Sequence, residues 1–199
     1  MRILLVGASG TIGRAVAAEL GQRHDVIAAG RSSGDVRLDI ADPASVRAAF
    51  ERLGRIDAVV STAGHVKFAP FEDMEAPDFE VGLRDKLMGQ VGLVLVGRRH
   101  LADGGSFTLT AGVLDCEPIR GGTSASMVNG AIDAFVMAAA IELPRGQRIN
   151  AVSPGLLTES LPQYGAFFRG FETVPAARVA LAYAKSVEGA QTGRVFRVA

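Results

Sequence analysis

The chain contains no tryptophan and only two tyrosines among its 199 residues. So few aromatic rings offer little surface on which nucleic-acid bases or sugars could stack. An excess of positive charge is also missing, because Lys plus Arg and Asp plus Glu each number 21. No basic field exists to hold a polyanion, so the composition predicts no nucleic-acid partner.

Cysteine is almost absent, and the single Cys116 excludes an internal disulfide and a multi-cysteine zinc site. The neighbouring acids Asp115 and Glu117 disfavour a thiolate, so we interpret Cys116 as inert. We expect no bound metal and a reducing, cytoplasmic location.

Long hydrophobic runs are missing as well. The apolar segment Met1–Gly7 is not followed by the basic region and the long apolar region that make up a signal peptide, so it is interpreted as a first strand. Ala131–Leu143 contains Asp133 and Glu142 and is too short to span a bilayer. We therefore expect no membrane partner.

Short β-branched runs alternate with longer amphipathic segments, which is typical of a parallel sheet covered by helices. We predict one domain, residues 1–199, with a doubly wound Rossmann-type α/β fold of about seven strands and helices on both faces. The predicted strands are Ile3–Val6, Val26–Ala29, Val36–Ile40, Ile56–Val60, Gly104–Thr110, Gln147–Val152 and Gly193–Val198. The predicted helices are Thr11–Leu20, Pro43–Leu53, Asp78–His100, Thr123–Leu143 and Ala176–Val187.

One connection departs from this pattern, because only Arg31–Asp35 separates the second and third strands. A parallel crossover usually needs a dozen residues or more. We therefore expect the second helix of the unit to be missing, with an extended return, a short third strand and an exposed sheet edge.

A glycine-rich loop follows the first strand and precedes the first helix. Gly7 permits a tight turn, Gly10 lets the backbone approach a pyrophosphate, and Gly13 lets the helix pack against the strand. The helix N-terminus then presents unpaired N–H groups to the phosphates. Strand, loop and helix in this order favour a dinucleotide site over a turn without function, with the binding residues Gly7, Ser9, Gly10, Thr11, Ile12 and Gly13.

The end of the second strand discriminates NAD from NADP in such sites. A carboxylate there accepts a hydrogen bond from the ribose 2′-OH, whereas an arginine pairs with a 2′-phosphate. This chain has Gly30, Arg31 and Ser32 at that point. Arg31 and Ser32 favour NADP(H); the alternative is a solvated arginine in a turn.

Together these residues resemble the short-chain dehydrogenase/reductase family along nearly the whole chain. The glycine loop has the GxxGxxG spacing of divergent members, and Ser61-Thr62-Ala63-Gly64 is similar to the family's Asn-Asn-Ala-Gly motif. The most specific likeness is Arg148–Gly155, preceded by Glu142-Leu143-Pro144. The resemblance implies further cofactor contacts at Asp39, Ile40, Thr62, Ala63, Gly64, Pro154, Gly155, Leu156 and Thr158.

The chain departs from the family where the chemistry is done. The family's Tyr-x-x-x-Lys pair falls on Ala125 and Asn129, and the family's asparagine position holds Lys86. Of the residues at the family's serine position, only Thr110 has a hydroxyl. The usual proton donor, a tyrosine whose pKa the lysine lowers, is therefore missing.

Three residues remain as candidate catalytic groups, namely Thr110, Lys86 and Tyr164. Lys86 either supplies the missing positive charge near the ribose or is a surface lysine. Tyr164 either reaches the site or packs in its loop. His65 either titrates beside the ligand or faces solvent.

Two functions stay open at this point. The first is an NADP(H)-dependent oxidoreductase that transfers hydride to or from a small carbonyl or alcohol. The second is a catalytically silent NADP(H)-binding sensor or partner protein. In either case we expect a homodimer or homotetramer, because the helices Asp78–His100 and Thr123–Leu143 are apolar on more than one face and family members pair them.

Overall fold

The computed structural model describes residues Met1–Ala199 as a parallel sheet between two layers of helices. The seven strands lie in the order β3-β2-β1-β4-β5-β6-β9, and every pairing is parallel. The strands are β1 Arg2–Val6, β2 Asp25–Gly30, β3 Val36–Arg37, β4 Ile56–Ser61, β5 Leu101–Thr110, β6 Arg148–Pro154 and β9 Val195–Val198. A second, two-stranded sheet pairs β7 Leu156–Leu157 with β8 Thr173–Val174. The predicted Rossmann-type fold is confirmed.

The helices connect these strands and cover both faces of the sheet. They are α1 Thr11–Leu20, α2 Pro43–Leu53, α3 Ala76–Gly82, α4 Met88–Gly97, α5 Thr123–Ala139, α6 Leu161–Tyr164 and α7 Ala176–Glu188. None of them combines the length and the apolar character that a membrane crossing requires.

The apolar core lies on both faces of the sheet because the strands are buried on both sides. Phe50 and Phe107 are completely buried on the face that α2, α4 and α5 cover. On the other face the buried ring of Tyr183 packs with Ile3 and Leu5 under α1 and α7. The two helical layers therefore hold the carboxyl edge of the sheet rigidly from either side.

The second helix of the unit is missing, as the short connection predicts. Ala29 pairs with Val36 across only a short loop. In that loop the Asp35 backbone N–H donates to the Ala28 carbonyl (2.8 Å), and an Asp35 carboxylate oxygen accepts from the Ala28 N–H (2.9 Å). Gly34 has a φ of +101°, which favours glycine. The chain thus returns within a turn.

Several predicted boundaries differ from the structure. The third strand ends at Arg37 rather than Ile40, because Asp39 begins a turn in which its carboxylate accepts from the Ala41 N–H (3.0 Å). The helix predicted to end at Leu143 ends at Ala139, ahead of Pro144, whose ring disfavours helix in the residue before it.

The helix predicted as Asp78–His100 consists of three segments. It begins at Ala76, where Glu75 and Asp78 form a capping box. A π-helical turn, Leu83–Leu87, separates α3 from α4, and α4 ends at Gly97. Such wide turns are frequent at functional sites, and this one contains Lys86.

Candidate cofactor and active site

An open groove of about 350 Å³ lies at the carboxyl edge of the sheet, where ligands bind in open α/β folds. It begins at the glycine loop after β1 and passes the ends of β2 and β4. Most of its lining is polar or glycine. The residues that line it are Val6, Gly7, Ser9, Gly30, Arg31, Ser32, Ser33, Leu38, Asp39, Ile40, Ala63, Gly64, His65 and Asp85.

The glycine loop is shaped by two close approaches. Gly7 has a φ of +86°, and a side chain there would lie 2.9 Å from Thr62 and Ala63 at the end of β4. A side chain at Gly13 would overlap the carbonyl oxygen of Gly7, so the first turn of α1 rests directly on the loop. Gly10 is less confined, because a Cβ at this position would lie 3.4 Å from the Gly7 carbonyl oxygen.

The N-terminus of α1 follows the lining residue Ser9 and has no side-chain cap, whereas the predicted residues Gly10, Thr11, Ile12 and Gly13 are not part of the groove lining. Gly10 is the capping residue, and the first turn of the helix contains no acidic side chain. The Thr11 side chain is half-buried in this turn, and Ile12 packs on the core beneath it. Unpaired N–H groups at a helix start attract anions such as phosphate, so this end of the groove fits a pyrophosphate.

Thr62 connects the glycine loop to β4. Its backbone N–H donates to the Val6 carbonyl (2.8 Å), and its hydroxyl reaches the carbonyls of Val6 and Gly7, each at 3.1 Å. Ala63 and Gly64 follow as lining residues of the groove. The predicted residues Gly7, Thr62, Ala63 and Gly64 are therefore brought together.

The opposite end of the groove is formed by Arg31, Ser32 and Ser33 after β2, and all three side chains are exposed. Arg31 makes no ion pair or hydrogen bond within the protein. The nearest acid in this loop, Asp35, is occupied by the Ala28 N–H. The loop thus offers an unpaired guanidinium to the groove, and its carboxylate is turned to the backbone.

Asp39 and Ile40 lie on the same side of the groove. One carboxylate oxygen of Asp39 accepts from the Ala41 N–H, and its backbone N–H donates to the Ser45 hydroxyl (3.0 Å). Ile40 is buried and packs closely on Gly89 of α4. Both residues are therefore fixed by the protein before any ligand enters.

The predicted contacts after β6 lie further along the same edge, outside the lining of this groove. Gly155 N–H donates to the Val198 carbonyl (2.7 Å), which holds the chain after Pro154 against β9. Leu156 pairs with Thr173 in the small sheet, and the Thr158 hydroxyl donates to that of Thr173 (3.1 Å).

Lys86 reaches from the π-helical turn toward the ends of β5 and α5. Its aliphatic stem packs on Gly64, where a side chain would lie 2.6 Å from the Lys86 Cγ. Its ammonium donates to the Ala111 carbonyl (2.9 Å) and to Oδ1 of Asn129 (2.6 Å). The Lys86 side chain is thus half-buried directly behind a wall of the groove.

Burial lowers the pKa of Lys86 to about 8, although the nearby Asp133 carboxylate opposes this shift. An ammonium has three N–H donors, of which two are used. Near neutral pH, therefore, the group stays mostly protonated and has one donor left. Such properties are common in groups that exchange protons.

Comparisons with known proteins agree with this geometry. The chain matches the family model described as enoyl-(acyl carrier protein) reductase over residues 7–190. The chain belongs to the short-chain dehydrogenase/reductase family. A curated relative, a versicolorin reductase of Emericella nidulans, is 29% identical over 181 residues that cover 77% of this chain and 68% of the relative.

Solved structures from the family are also similar. The protein lin1944 from Listeria innocua is 50% identical, with a TM-score of 0.99 and complete coverage of both chains. A small-chain dehydrogenase in complex with NADPH is 29% identical, with a TM-score of 0.89 over 100% of this chain and 96% of the other. Members of this family bind a nicotinamide cofactor.

The sequence prediction puts Asn129 at the family's lysine position on α5 and Lys86 at its asparagine position, so that the two residue types exchange places. The two side chains are hydrogen-bonded to each other. The positive charge beside position 129 therefore belongs to Lys86 on the facing helix and not to a residue of α5.

The Thr110 hydroxyl is directed away from the groove into the core under α7. It donates to the Ser61 carbonyl and bonds the Tyr183 hydroxyl, each at 2.5 Å. Its only proton is thus engaged within the protein. Burial raises the pKa of Tyr183, so Tyr183 stays protonated. Thr110 as a proton donor stays a prediction, and this geometry gives it no free proton.

Tyr164 and the family's tyrosine position lie apart from the groove. The Tyr164 hydroxyl accepts from the Gln163 side chain (3.1 Å), and its ring is 6.0 Å from that of Phe68. Ala125 is buried with Val113 and Leu114, and the partly buried side chains that pack on them include Phe168 and Phe171. An apolar cluster thus surrounds the position where most family members have their tyrosine.

The structure adds site residues that the sequence did not indicate. Ser33, Leu38 and Asp85 line the groove, and Asp85 accepts from the backbone N–H of His65 (3.1 Å). His65 itself is an exposed lining residue. The short spacing after Arg31 could have indicated Ser33, but no local pattern indicates Asp85, which depends on the π-helical turn.

The Thr110–Tyr183 pair generates a stability prediction. Thr110→Val leaves the Tyr183 hydroxyl buried without a partner, so the free energy of unfolding should fall by about 1–3 kcal/mol in urea titrations. The double variant with Tyr183→Phe should cost less than the sum of the single changes. Thr158→Val, at an exposed hydroxyl pair, is the matched control. An unchanged stability in Thr110→Val would contradict the buried hydrogen bond.

Proposed function

We propose that this chain is an NADP(H)-dependent oxidoreductase that moves a hydride between the cofactor and a small carbonyl or alcohol. The observation behind the proposal is the groove with an uncapped helix start at one end and the unpaired Arg31 at the other. The α1 N-terminus suits the pyrophosphate. Gly155, Leu156 and Thr158 are the residues for the nicotinamide end in this proposal.

NADP(H) rather than NAD(H) is supported by the loop after β2. A 2′-phosphate would meet the Arg31 guanidinium and the hydroxyls of Ser32 and Ser33, which is a strong anion site. The end of this strand lacks the carboxylate that would accept a hydrogen bond from an unmodified ribose 2′-OH. The NADPH complex of the similar dehydrogenase points in the same direction.

The proton for the new hydroxyl comes from Lys86 in this proposal. Bound NADPH would supply the hydride to a substrate carbonyl carbon. The Lys86 ammonium would give its proton to the carbonyl oxygen, which gains the electron pair of the broken π bond, and the neutral amine would be reprotonated from water. Lys86 is the candidate among Thr110, Lys86 and Tyr164 whose donor is next to the groove.

A second function is favoured by a different observation. The apolar cluster around Ala125 closes over the place where family members activate substrate. A protein that binds NADP(H) without turnover, as a sensor or a partner subunit, would have the same groove and the same sealed cluster.

Cofactor choice is tested at Arg31. Arg31→Ala should raise the Kd for NADPH by about tenfold or more, because one charge-assisted contact of about 1.5–3 kcal/mol is lost. The Kd for NADH should change little, since it has no 2′-phosphate. Both constants follow from nicotinamide fluorescence, with the exposed Arg37→Ala as control. Equal losses for both cofactors would overturn the NADP assignment.

Turnover is tested with purified protein, NADPH and a panel of aldehydes, ketones and quinones. Loss of the nicotinamide absorbance with at least one class is expected. Lys86→Met should then lower kcat by roughly a hundredfold, the usual size of a general-acid effect. Tight NADPH binding with no turnover across the panel would instead favour the binding protein.

A second copy of this chain is the proposed partner. An apolar groove of about 480 Å³ lies beside α4 and α5 and is lined by Val94, Leu95, Phe135, Ala138, Ala139 and Leu143 among others. Next to it Met137 and Ile141 are 56% and 89% exposed. Apolar surface of this kind marks interfaces, and we propose that these helices pair in a homodimer or homotetramer.

Light scattering coupled to gel filtration tests this assembly. The wild-type chain should elute as a dimer or tetramer, and Leu95→Glu should shift it toward monomer, because the interface would have to bury a charge. Phe71→Glu changes an equally apolar but distant surface residue and should leave the mass unchanged. A monomeric wild-type chain would refute the interface.

A further inference from the structure

Five polar side chains follow one another from the groove wall to the last strand, as a hydrogen-bonded pair and an ion-paired group that meet one turn apart on α5. This polar row consists of Lys86, Asn129, Asp133, Asp115 and Arg197. Asn129 and Asp133 are one turn apart on α5 and are 3% and 7% exposed. Asp115 comes from the short helix after β5, and Arg197 comes from β9.

The amide of Asn129 has one orientation in this row. Its Nδ2 donates to the Gly112 carbonyl (3.1 Å), which can only accept. Its Oδ1 therefore faces the Lys86 ammonium. Asn129 thus fixes the position of the Lys86 cation relative to α5, and Asp133 lies on the next turn of the same face.

Beyond Asn129, two carboxyl groups share one guanidinium. Arg197 Nη2 lies 2.5 Å from Oδ2 of Asp115 and 3.4 Å from Oδ2 of Asp133. The other Asp133 oxygen is buried and has no hydrogen-bond partner. Arg197 neutralises one negative charge, so a second buried carboxylate in contact with the first is unfavourable. Asp133 is the member of the pair that takes up a proton first, because Asp115 has the shorter ion pair.

The acid–base properties follow this geometry. Burial, followed by the adjacent Asp115, raises the pKa of Asp133 to about 7. The pKa of Asp115 is lowered: its burial acts in the opposite direction, but hydrogen bonds with Asp133 and Cys116 and the charge of Arg197 outweigh it. Ionised Asp133 in turn raises the pKa of Lys86.

Charged and titratable groups face Asp133 and Lys86 from each element that packs on these two residues. Asp115 and the Cys116 thiol come from the segment after β5, Arg197 from β9, and Lys86 from the π-helical turn. On the groove side of Lys86 stand Asp85 and His65. Of these, only Asp133 is buried and lies one helical turn from Asn129, the hydrogen-bond partner of Lys86.

We propose that Asp133 is a positioning residue for the reaction, in that its carboxyl sets the charge of the Lys86 ammonium behind the cofactor groove. This inference rests on the proposed oxidoreductase function. Ionised Asp133 keeps Lys86 in its proton-donating form, and protonated Asp133 lets Lys86 lose its proton more readily. Asp115 and Arg197 determine what fraction of Asp133 is ionised near neutral pH.

The test uses the small number of lysines. The chain has three, Lys67, Lys86 and Lys185, so protein labelled with ¹³C at lysine Cε gives three NMR resonances, and Lys86→Met identifies one of them. The Lys86 resonance should titrate with a midpoint near pH 8. Asp133→Asn should lower this midpoint by about one pH unit, since it removes the negative charge.

The coupling must also appear in the titration of Asp133. With aspartate labelled at the carboxyl carbon, Lys86→Met should raise the Asp133 midpoint by the same amount, because the interaction free energy is shared. This second measurement decides the question if Asp133→Asn does not fold. Asp73→Asn, at an exposed acid, should leave the Lys86 midpoint unchanged.

An unmoved Lys86 midpoint in folded Asp133→Asn, or an unmoved Asp133 midpoint in Lys86→Met, would overturn the proposal. Neither titration needs a substrate, so their failure is separate from a failure of turnover. With a carbonyl substrate from the panel, Asp133→Asn should also move the alkaline limb of the kcat profile to lower pH. A uniformly reduced kcat with an unmoved limb would indicate a purely structural role and would overturn it too.

Discussion

Burial of the Lys86 ammonium is the constraint on which the site depends. A cation taken out of water needs hydrogen-bond acceptors and a compensating charge nearby. The Ala111 carbonyl at the end of β5 and the Asn129 amide on α5 provide the acceptors. Asp133, one turn further along α5, provides the charge. The Lys86 side chain therefore connects three elements, namely the π-helical turn, the end of β5 and α5.

The backbone around Lys86 has the features that this burial requires. The π-helical turn brings Asp85 to the groove and directs Lys86 behind it. Gly64 has a φ of +140° and no side chain, so the stem of Lys86 can lie directly against the loop after β4. Any side chain at position 64 would separate the cation from the groove wall.

Compared with the pattern of the short-chain dehydrogenase/reductase family, this site keeps a lysine ammonium but supplies it from a different position in the chain. Lys86 and Asn129 are residue types that the family also uses, but each stands on the helix where the other is expected. Their side chains are in contact. The family's tyrosine is replaced by Ala125 inside an apolar cluster. What remains of the proton chemistry is concentrated in the polar row, in which Asp133 has a raised pKa and Lys86 a lowered one.

The sequence by itself determined the order of strands and helices, the missing second helix and the glycine loop, because these depend on local periodicity and on backbone sterics at Gly7 and Gly13. It also indicated that Asn129 and Lys86 stand at each other's family positions. The tertiary structure alone decided that these two meet, that Thr110 faces Tyr183, and that Asp133 and Asp115 share the ion pair with Arg197. Those contacts join residues far apart in the chain, and whether a polar group is buried or solvated depends on how the layers pack rather than on its neighbours in sequence.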